Sequence, residues 1–186
     1  MPKKIVISAF VFFMLSSVFG LYCQTQLRQG SEKISTGYAN ILSNSGEALR
    51  IFNKRIKVGF LSSLLKRKAG MDLSVEGQLS EKVDIIVERV KMILEMHPRN
   101  FNVQINVLPD AQSVRAAYRK KYYRDAEFVA FYAPAEKAIY IAADETKSNI
   151  LAHEIAHAVI DQFFGVAAPV KIHEILAQYV DENFEE

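Results

Sequence analysis

The sequence predicts an α+β fold in which helices pack on a small mixed sheet. Apolar residues recur at spacings of three and four before residue 98 and alternate with polar residues just after it. From residue 101 onward, the expected order is strand, helix, strand, strand, helix, helix. Of the 186 residues, 50% are hydrophobic, which suits one compact domain with an appendage.

The first 23 residues have the pattern of an export signal, with lysines ahead of an apolar run over 5–22. Three fates fit this pattern: cleavage near the small residues Val18 and Gly20, retention as a membrane anchor, or lipid attachment at Cys23. Each fate places the rest of the chain outside the cytoplasm, secreted or periplasmic. Residues 5–22 would carry any membrane association.

Residues 24–97 are expected to form a linker and a helical N-terminal region. Residues 24–42 are polar with scattered Gly, Ser and Thr, which favours a linker or a weak helix. Apolar periodicity predicts a helix over 45–69, with Gly70 as its C-cap. The residues that carry this periodicity are Leu49, Phe52, Ile56, Phe60 and Leu64.

A second helix is expected in the same region. Residues 71–79 indicate a loop, and Ser80 is a candidate N-cap for a helix that runs to about Met96. Pro98 marks its end. Its apolar stripe consists of Val83, Ile86, Val87, Val90 and Leu94.

Residues 98–186 are expected to form the functional domain. Strict alternation from Phe101 to Val107 predicts a half-buried strand, followed by a short helix over 111–122. Two further strands are expected over 127–132 and 137–142, joined by a loop of hairpin length.

Two helices complete the predicted domain. The first is capped by Asp144 or Thr146, extends to about Phe164 and ends at Gly165. The second spans 170–183.

Charge and cysteine content exclude some classes of function. The net charge of +2 is too small to indicate a nucleic-acid partner. Basic clusters at 54–57 and 66–68 lie in helical patterns, so a solvated face is favoured over a weak contact with anionic lipid. Cys23 is the one cysteine, so an internal disulfide and a cysteine-based zinc site are both excluded.

The most informative motif is His153-Glu154-Ile155-Ala156-His157. Two histidines four residues apart project from one helix face and can bind one zinc ion. Glu154 would lie at the open side of the metal, where it can accept a proton from water. The surrounding apolar sequence favours a buried helix over a surface helix.

Catalytic zinc usually has a third protein ligand. Ile160 and Phe163 occupy the Gly and His positions of the longer His-Glu-x-x-His-x-x-Gly-x-x-His pattern, so that pattern is excluded. Glu174, in the last helix, is the favoured third ligand. His173 is its rival, and the two point about 100° apart on a helix, which disfavours binding by both. A rim position near the reaction is the other role open to His173.

The motif followed by Glu174 resembles the gluzincin class of zinc metallopeptidases. Residues 171–180 resemble the Glu-Gly-x-Ala-x-Tyr signature of small gluzincins, the minigluzincin and peptidase-MA-like group. The likeness covers residues 101–184 and implies a minimal zincin-like domain, with an active-site helix and a C-terminal ligand helix on the sheet. It implies His153, His157 and Glu174 as Zn²⁺ ligands and Glu154 as general base.

Two positions depart from this signature. Ile175 stands where many relatives have Gly. Gln178 stands where larger relatives have an Asp that orients the first His, and Gln178 can accept the same hydrogen bond without a charge.

Other residues are candidates for supporting roles. Oxyanion stabilisation needs a donor, and the candidates are Tyr179, His173, Tyr132 and Tyr140. Asp161, four residues beyond His157 on roughly the same face, either supports the site from behind or is an ordinary helix carboxylate. The resemblance implies that an edge strand, here residues 127–132, pairs with an extended peptide substrate.

The expected function is therefore a zinc metalloendopeptidase acting outside the cytoplasm on a peptide or protein. Two alternatives stay open: a non-catalytic binding module stabilised by zinc, and a latent peptidase covered by its N-terminal helices.

Overall fold

A five-stranded mixed sheet organises the part of the chain that the computed structural model describes, residues 32–59, 74–165 and 169–184. Its strands are β1 (Glu32–Ser35), β2 (Ala39–Ser43), β3 (Val103–Leu108), β4 (Ala130–Ala133) and β5 (Ala138–Ala142). They lie in the order β1-β2-β3-β5-β4. The strands β2, β3 and β5 are parallel, whereas β1 and β4 form the two edges and run antiparallel to their neighbours.

Within the described ranges, five α-helices accompany the sheet, so the predicted α+β class is confirmed. They are α1 (Gly46–Arg55), α2 (Val75–Leu94), α3 (Ala111–Tyr122), α4 (Ser148–Phe164) and α5 (Val170–Asn183). A short 3₁₀ turn, Pro134–Glu136, joins β4 to β5. Helix α4 packs against α2, α5, β4 and β5, which places it at the centre of the molecule.

The hairpin of β1 and β2 corrects, for residues 32–42, the prediction of a linker or weak helix over 24–42; residues 24–31 lie outside the described residues. Alternate residues such as Ile34 and Ile41 are buried, as in a half-buried strand pair. The turn between them depends on a distant residue, because Asp84 on α2 accepts hydrogen bonds from the Thr36 hydroxyl (2.6 Å) and the Gly37 amide (2.9 Å). The sequence around the turn does not contain Asp84, so it does not indicate this hydrogen-bond partner.

Helix α1 is shorter than the predicted helix over 45–69. The Ser45 side chain caps its start, and the helix ends at Arg55 because Ile56 is extended and buried. Beyond it, Lys57 binds Ser148 through both its backbone N–H and its backbone C=O. The later part of that predicted helix, with the Gly70 cap, lies outside the described residues.

Helix α2 begins earlier than expected. The predicted cap at Ser80 and the loop predicted over 74–79 are wrong, because the Ser74 side chain accepts the Gly77 N–H and the helix starts at Val75. Residues 71–73 of the predicted loop lie outside the described residues. The fully buried Leu79 extends the apolar stripe by one turn. The predicted end near Met96 is close to the observed end at Leu94.

The element order predicted from residue 101 onward is confirmed. Helices α3 and α5 have the predicted bounds, and Gly165 ends α4 with a left-handed φ of 66°. The predicted caps of α4 are wrong: its N-cap is Lys147, which makes no side-chain capping bond. The Thr146 hydroxyl instead donates to the Ala142 carbonyl.

One apolar core extends across the boundary expected at residue 98. Phe52 and Val87 belong to the same buried cluster as Ile105 and Ile155. Strands from both sides of that boundary also share the sheet. The described part of residues 24–97 is therefore built into the same folded core as residues 98–184.

Residues 5–22, the predicted export signal or anchor, lie outside the described residues. Within the described ranges, no helix combines the length and the apolar character needed to cross a bilayer.

Candidate metal centre

Two helices bring three candidate metal ligands together. His153 and His157 lie one turn apart on α4, and Glu174 lies on α5. The Nε2 atoms of the two histidines are 3.2 Å apart. The Glu174 oxygens lie 3.7 Å from His157 Nε2 and 4.0 Å from His153 Nε2. Ligand atoms of tetrahedral zinc stand about 3.3 Å apart, so the donor types and spacing fit zinc.

The packing of α5 explains the position of Glu174. Gly165 adopts the left-handed conformation that ends α4, and its N–H bonds the Asp161 carbonyl at 3.1 Å. Ala177 and Val180 form the buried side of α5, which packs against α4. Glu174 lies one turn before Ala177, so it projects from the edge of this interface towards the histidines.

Asp181 orients the first histidine, which corrects the role expected for Gln178. The Asp181 carboxylate accepts a hydrogen bond from His153 Nδ1 at 2.8 Å, which leaves the Nε2 lone pair directed into the cluster. Gln178 is exposed. Asp181 lies seven residues after Glu174 on α5, on nearly the same face, and this spacing was the available sequence signal.

Glu154 lies next to the ligands and is buried, with 8% of its surface exposed. Burial raises the pKa of its carboxyl to about 7, against the opposing influence of His153 and the Tyr132 backbone N–H. The negative charges of Glu174 and Asp181 raise that pKa further. A carboxyl with a pKa near neutrality can both accept and release a proton at physiological pH.

The pKa of His157 depends on burial and on the neighbouring histidines. Burial, together with smaller effects of the nearby His153 and His173, lowers the pKa of His157 to about 4, so His157 is neutral at pH 7. A neutral imidazole is the form that binds a metal. The His173 ring centroid is 5.7 Å from that of His157, and His173 lines the same cavity. The three-ligand cluster contains Glu174 rather than His173.

The ligands open into a cavity of about 640 Å³. Its metal side is formed by His153, Glu154, His157, His173 and Glu174. Ala130 to Tyr132 of the edge strand β4 border it. The predicted edge over 127–132 is therefore confirmed in position, although the strand itself is Ala130–Ala133.

The free edge of β4 faces this cavity. The Val129 carbonyl accepts the Ala142 N–H at 2.9 Å, and Phe131 pairs with Tyr140 in the same register. Hydrogen-bonded pairs alternate along an antiparallel ladder, so the backbone groups of Ala130 and Tyr132 point away from β5.

The candidate oxyanion donors separate into two groups. Tyr132 lines the cavity, but its hydroxyl donates to Asp161 at 2.9 Å, and burial together with this bond raises the tyrosine pKa. Tyr140 donates to Glu136, and Tyr179 is half exposed; neither lines the cavity. His173 is the remaining candidate with an uncommitted side chain facing the cavity. The hydrogen bond between Asp161 and the Tyr132 hydroxyl connects α4 to the edge strand β4.

An aromatic lining of the cavity was not expected from the sequence. It consists of Tyr118, Tyr122, Phe128 and Phe131, which we call the aromatic wall. These residues come from α3, from the segment before β4 and from β4 itself. Only the tertiary arrangement shows that they line the same cavity as the metal ligands.

No family model, curated protein or solved structure matches this chain. The fold and site define an α+β protein with a candidate His-His-Glu metal centre in a cavity beside a sheet edge.

Proposed function

We propose that this protein is a zinc-dependent metallopeptidase that acts outside the cytoplasm, exported or held at a membrane. The observation that carries this proposal is the meeting of His153, His157 and Glu174 beside the buried Glu154. Three protein ligands are typical of catalytic zinc, whereas structural zinc sites have four. Among the described residues the cluster holds three, which favours catalysis over a closed site.

His153, His157 and Glu174 would hold the metal. Zinc in such a ligand set supplies Lewis acidity, which polarises a peptide carbonyl and makes water acidic enough to lose a proton near neutral pH. Glu154 would accept that proton, because its carboxyl is buried beside the ligands and lines the same cavity. The same group then donates the proton to the leaving amine.

The other residues position these groups and the substrate. Asp181 holds the tautomer and orientation of His153 through its 2.8 Å bond. The backbone groups of Ala130 and the Tyr132 carbonyl, which point away from β5, would offer hydrogen bonds to an extended peptide by strand addition, whereas the Tyr132 N–H is bonded to Glu154. His173, which lines the same cavity, would donate a hydrogen bond to the oxyanion.

The described N-terminal helices do not cover this cavity. All its lining residues fall between Tyr118 and Glu174, so α1 and α2 are absent from its walls. These helices support α4 from the core side instead. This arrangement therefore gives no support to a latent peptidase whose cavity is covered by α1 and α2.

Glu154→Gln tests the proposal. The variant keeps the ligands and loses the proton acceptor, so we expect wild-type zinc content with turnover lower by about 10²–10⁴-fold. Zinc is measured per chain by atomic emission, and turnover by cleavage of fluorescein-labelled casein. Glu182→Gln is the matched control, because Glu182 is an exposed carboxylate on α5.

Three outcomes decide between the candidates. Loss of turnover with zinc retained supports the mechanism. Equal cleavage by Glu154→Gln and wild type rejects Glu154 as base. Stoichiometric zinc without cleavage by the wild type, across a broad pool of unfolded proteins, favours the non-catalytic binding module.

A further inference from the structure

The aromatic wall is a preformed surface. The Tyr118 ring makes edge contacts with Phe128 (centroids 5.2 Å apart) and Phe131 (5.1 Å), and a tilted contact with Tyr122 (4.7 Å). Phe131 is in turn stacked on Tyr140 at 4.9 Å. Such edge and offset contacts fix ring positions before any ligand arrives.

The wall has apolar area that the fold leaves uncovered. Phe128 is 46% exposed and Tyr122 is 38% exposed, and both face the cavity that contains the metal ligands. Tyr123, the next residue along from Tyr122, is 92% exposed and does not line the cavity. Burying ring area is favourable, so a ligand side chain placed against Phe128 and Tyr122 would gain binding free energy.

Three basic side chains of α3 near the wall are held in ion pairs. Arg115 binds Glu127, and Arg119 binds Asp125. Lys121 pairs with Glu136 and lies against the ring of Tyr140. The aromatic rings of the wall are the surface that lines the cavity on this side.

The position of the wall relative to β4 determines which part of a peptide meets it. Tyr132 points towards α4, since its hydroxyl binds Asp161, whereas Phe131 belongs to the cluster under α3. The metal ligands and the aromatic wall therefore lie on opposite sides of β4. An extended peptide added to the free edge projects successive side chains to alternate sides.

We propose that the aromatic wall is a selectivity site for one large apolar side chain, preferably aromatic, of an extended peptide paired with β4. The inference rests on the proposed function, since it takes the peptide bound beside the metal centre as its ligand. Alternation along the peptide means that a single position, with its side chain on the α3 side, carries the preference.

Peptide binding tests the wall separately from catalysis. Zinc-loaded Glu154→Gln is titrated into fluorescein-labelled Ala-rich peptides with a single Phe moved through successive positions, and anisotropy reports the dissociation constant. At one position we expect Phe to bind about tenfold tighter than Ala, from ring burial and ring contacts. Phe128→Ala in the same background should reduce this preference to about twofold.

Two further variants serve as controls. Phe128→Leu keeps apolar volume without the ring, and should retain part of the preference. Tyr123→Ala removes a more exposed ring that lies outside the cavity, and should retain all of the preference. Thermal unfolding of each variant checks that the fold is intact.

The inference is overturned if no Phe position binds tighter than the all-Ala peptide, or if Phe128→Ala leaves the preference unchanged. Equal losses in Tyr123→Ala and Phe128→Ala would also overturn it, because they would indicate general surface stickiness. Wild-type turnover is measured separately. Phe-selective binding without cleavage would reject the proposed peptidase function and support the selectivity site. Cleavage without Phe selectivity would support the peptidase function and reject the selectivity site.

Discussion

Removal of the Asp181 carboxylate should weaken zinc binding, whereas removal of the Gln178 side chain should not. Asp181 accepts a hydrogen bond from His153 Nδ1 at 2.8 Å, which keeps Nε2 unprotonated and directed at the other ligands. Gln178 is the residue that sequence likeness assigns to this role, and it is exposed on the same helix. The two variants therefore distinguish the sequence-based assignment from the structural one.

The magnitude follows from the geometry and the exposure of the pair. Partners behind a metal ligand are typically worth about 10–100-fold in metal affinity, or about 1.4–2.7 kcal/mol. The side chain of Asp181 is 35% exposed and that of His153 is 23% exposed, so solvent screens part of the charge. We expect Asp181→Ala to lie nearer the tenfold end. Asp181→Asn should lose less, because its amide oxygen still accepts the hydrogen bond.

The assay is competition for zinc with a chromophoric chelator at fixed pH. The expected order of affinity is wild type and Gln178→Ala together, then Asp181→Asn, then Asp181→Ala. Urea unfolding of the chelated proteins separates metal affinity from stability, since affinity alone should follow this order. If Gln178→Ala weakens zinc binding as much as Asp181→Ala, or if Asp181→Ala binds zinc like wild type, the reasoning is refuted.

Three other perturbations have defined outcomes. Ser148→Ala should cost about 1–3 kcal/mol in urea unfolding, because the buried Ser148 hydroxyl satisfies both backbone groups of Lys57, at 2.8 and 2.6 Å; a smaller loss means that water replaces it. Tyr132→Phe should cost about 0.5–1.5 kcal/mol, with no additional cost in an Asp161→Ala background, which has no acceptor for the Tyr132 hydroxyl; fully additive losses would contradict the 2.9 Å bond. In chelated protein, the buried Glu154 carboxyl has its pKa raised from 4.5 to about 7, so ionisation opposes folding as pH rises through that interval. Glu154→Gln should therefore gain stability relative to wild type from pH 4.5 to 7 and then level off, and a gap independent of pH would contradict this environment.

The predictable part of the fold lies where local pattern and tertiary packing agree. The alternation in β3 matched its burial, since Val103, Ile105 and Val107 face the core. Helix α5 has the predicted bounds, because the apolar residues that predict it, such as Val180, are those that pack against the core. Gly165 ended α4 as expected, since its left-handed φ favours glycine.

The errors occur where a distant residue decides local structure. The turn before β2 is held by Asp84 of α2, so the polar segment around it gave no strand signal. Helix α1 stops at Arg55 because Lys57 binds Ser148, 91 residues away along the chain. Apolar periodicity alone predicts a helix that continues past Arg55.

The candidate metal centre likewise has a part that local sequence predicts and a part that depends on tertiary packing. Fixed spacing on one helix brings His153, Glu154 and His157 together whatever the rest of the fold does. Glu174 was favoured by elimination, and its approach to within 4.0 Å of both histidines depends on the packing of α5 against α4.

The sequence by itself determined the α+β class, the order of elements after residue 101 and the local part of the metal motif. These features depend on periodicities and spacings of a few residues, which backbone geometry fixes. Only the tertiary structure decided that Asp181 rather than Gln178 orients His153, that Tyr132 is bound to Asp161, and that an aromatic wall lies across β4 from the ligands. Each of these depends on contacts between elements far apart in the chain, whose relative placement is set by burial of the shared core rather than by local pattern.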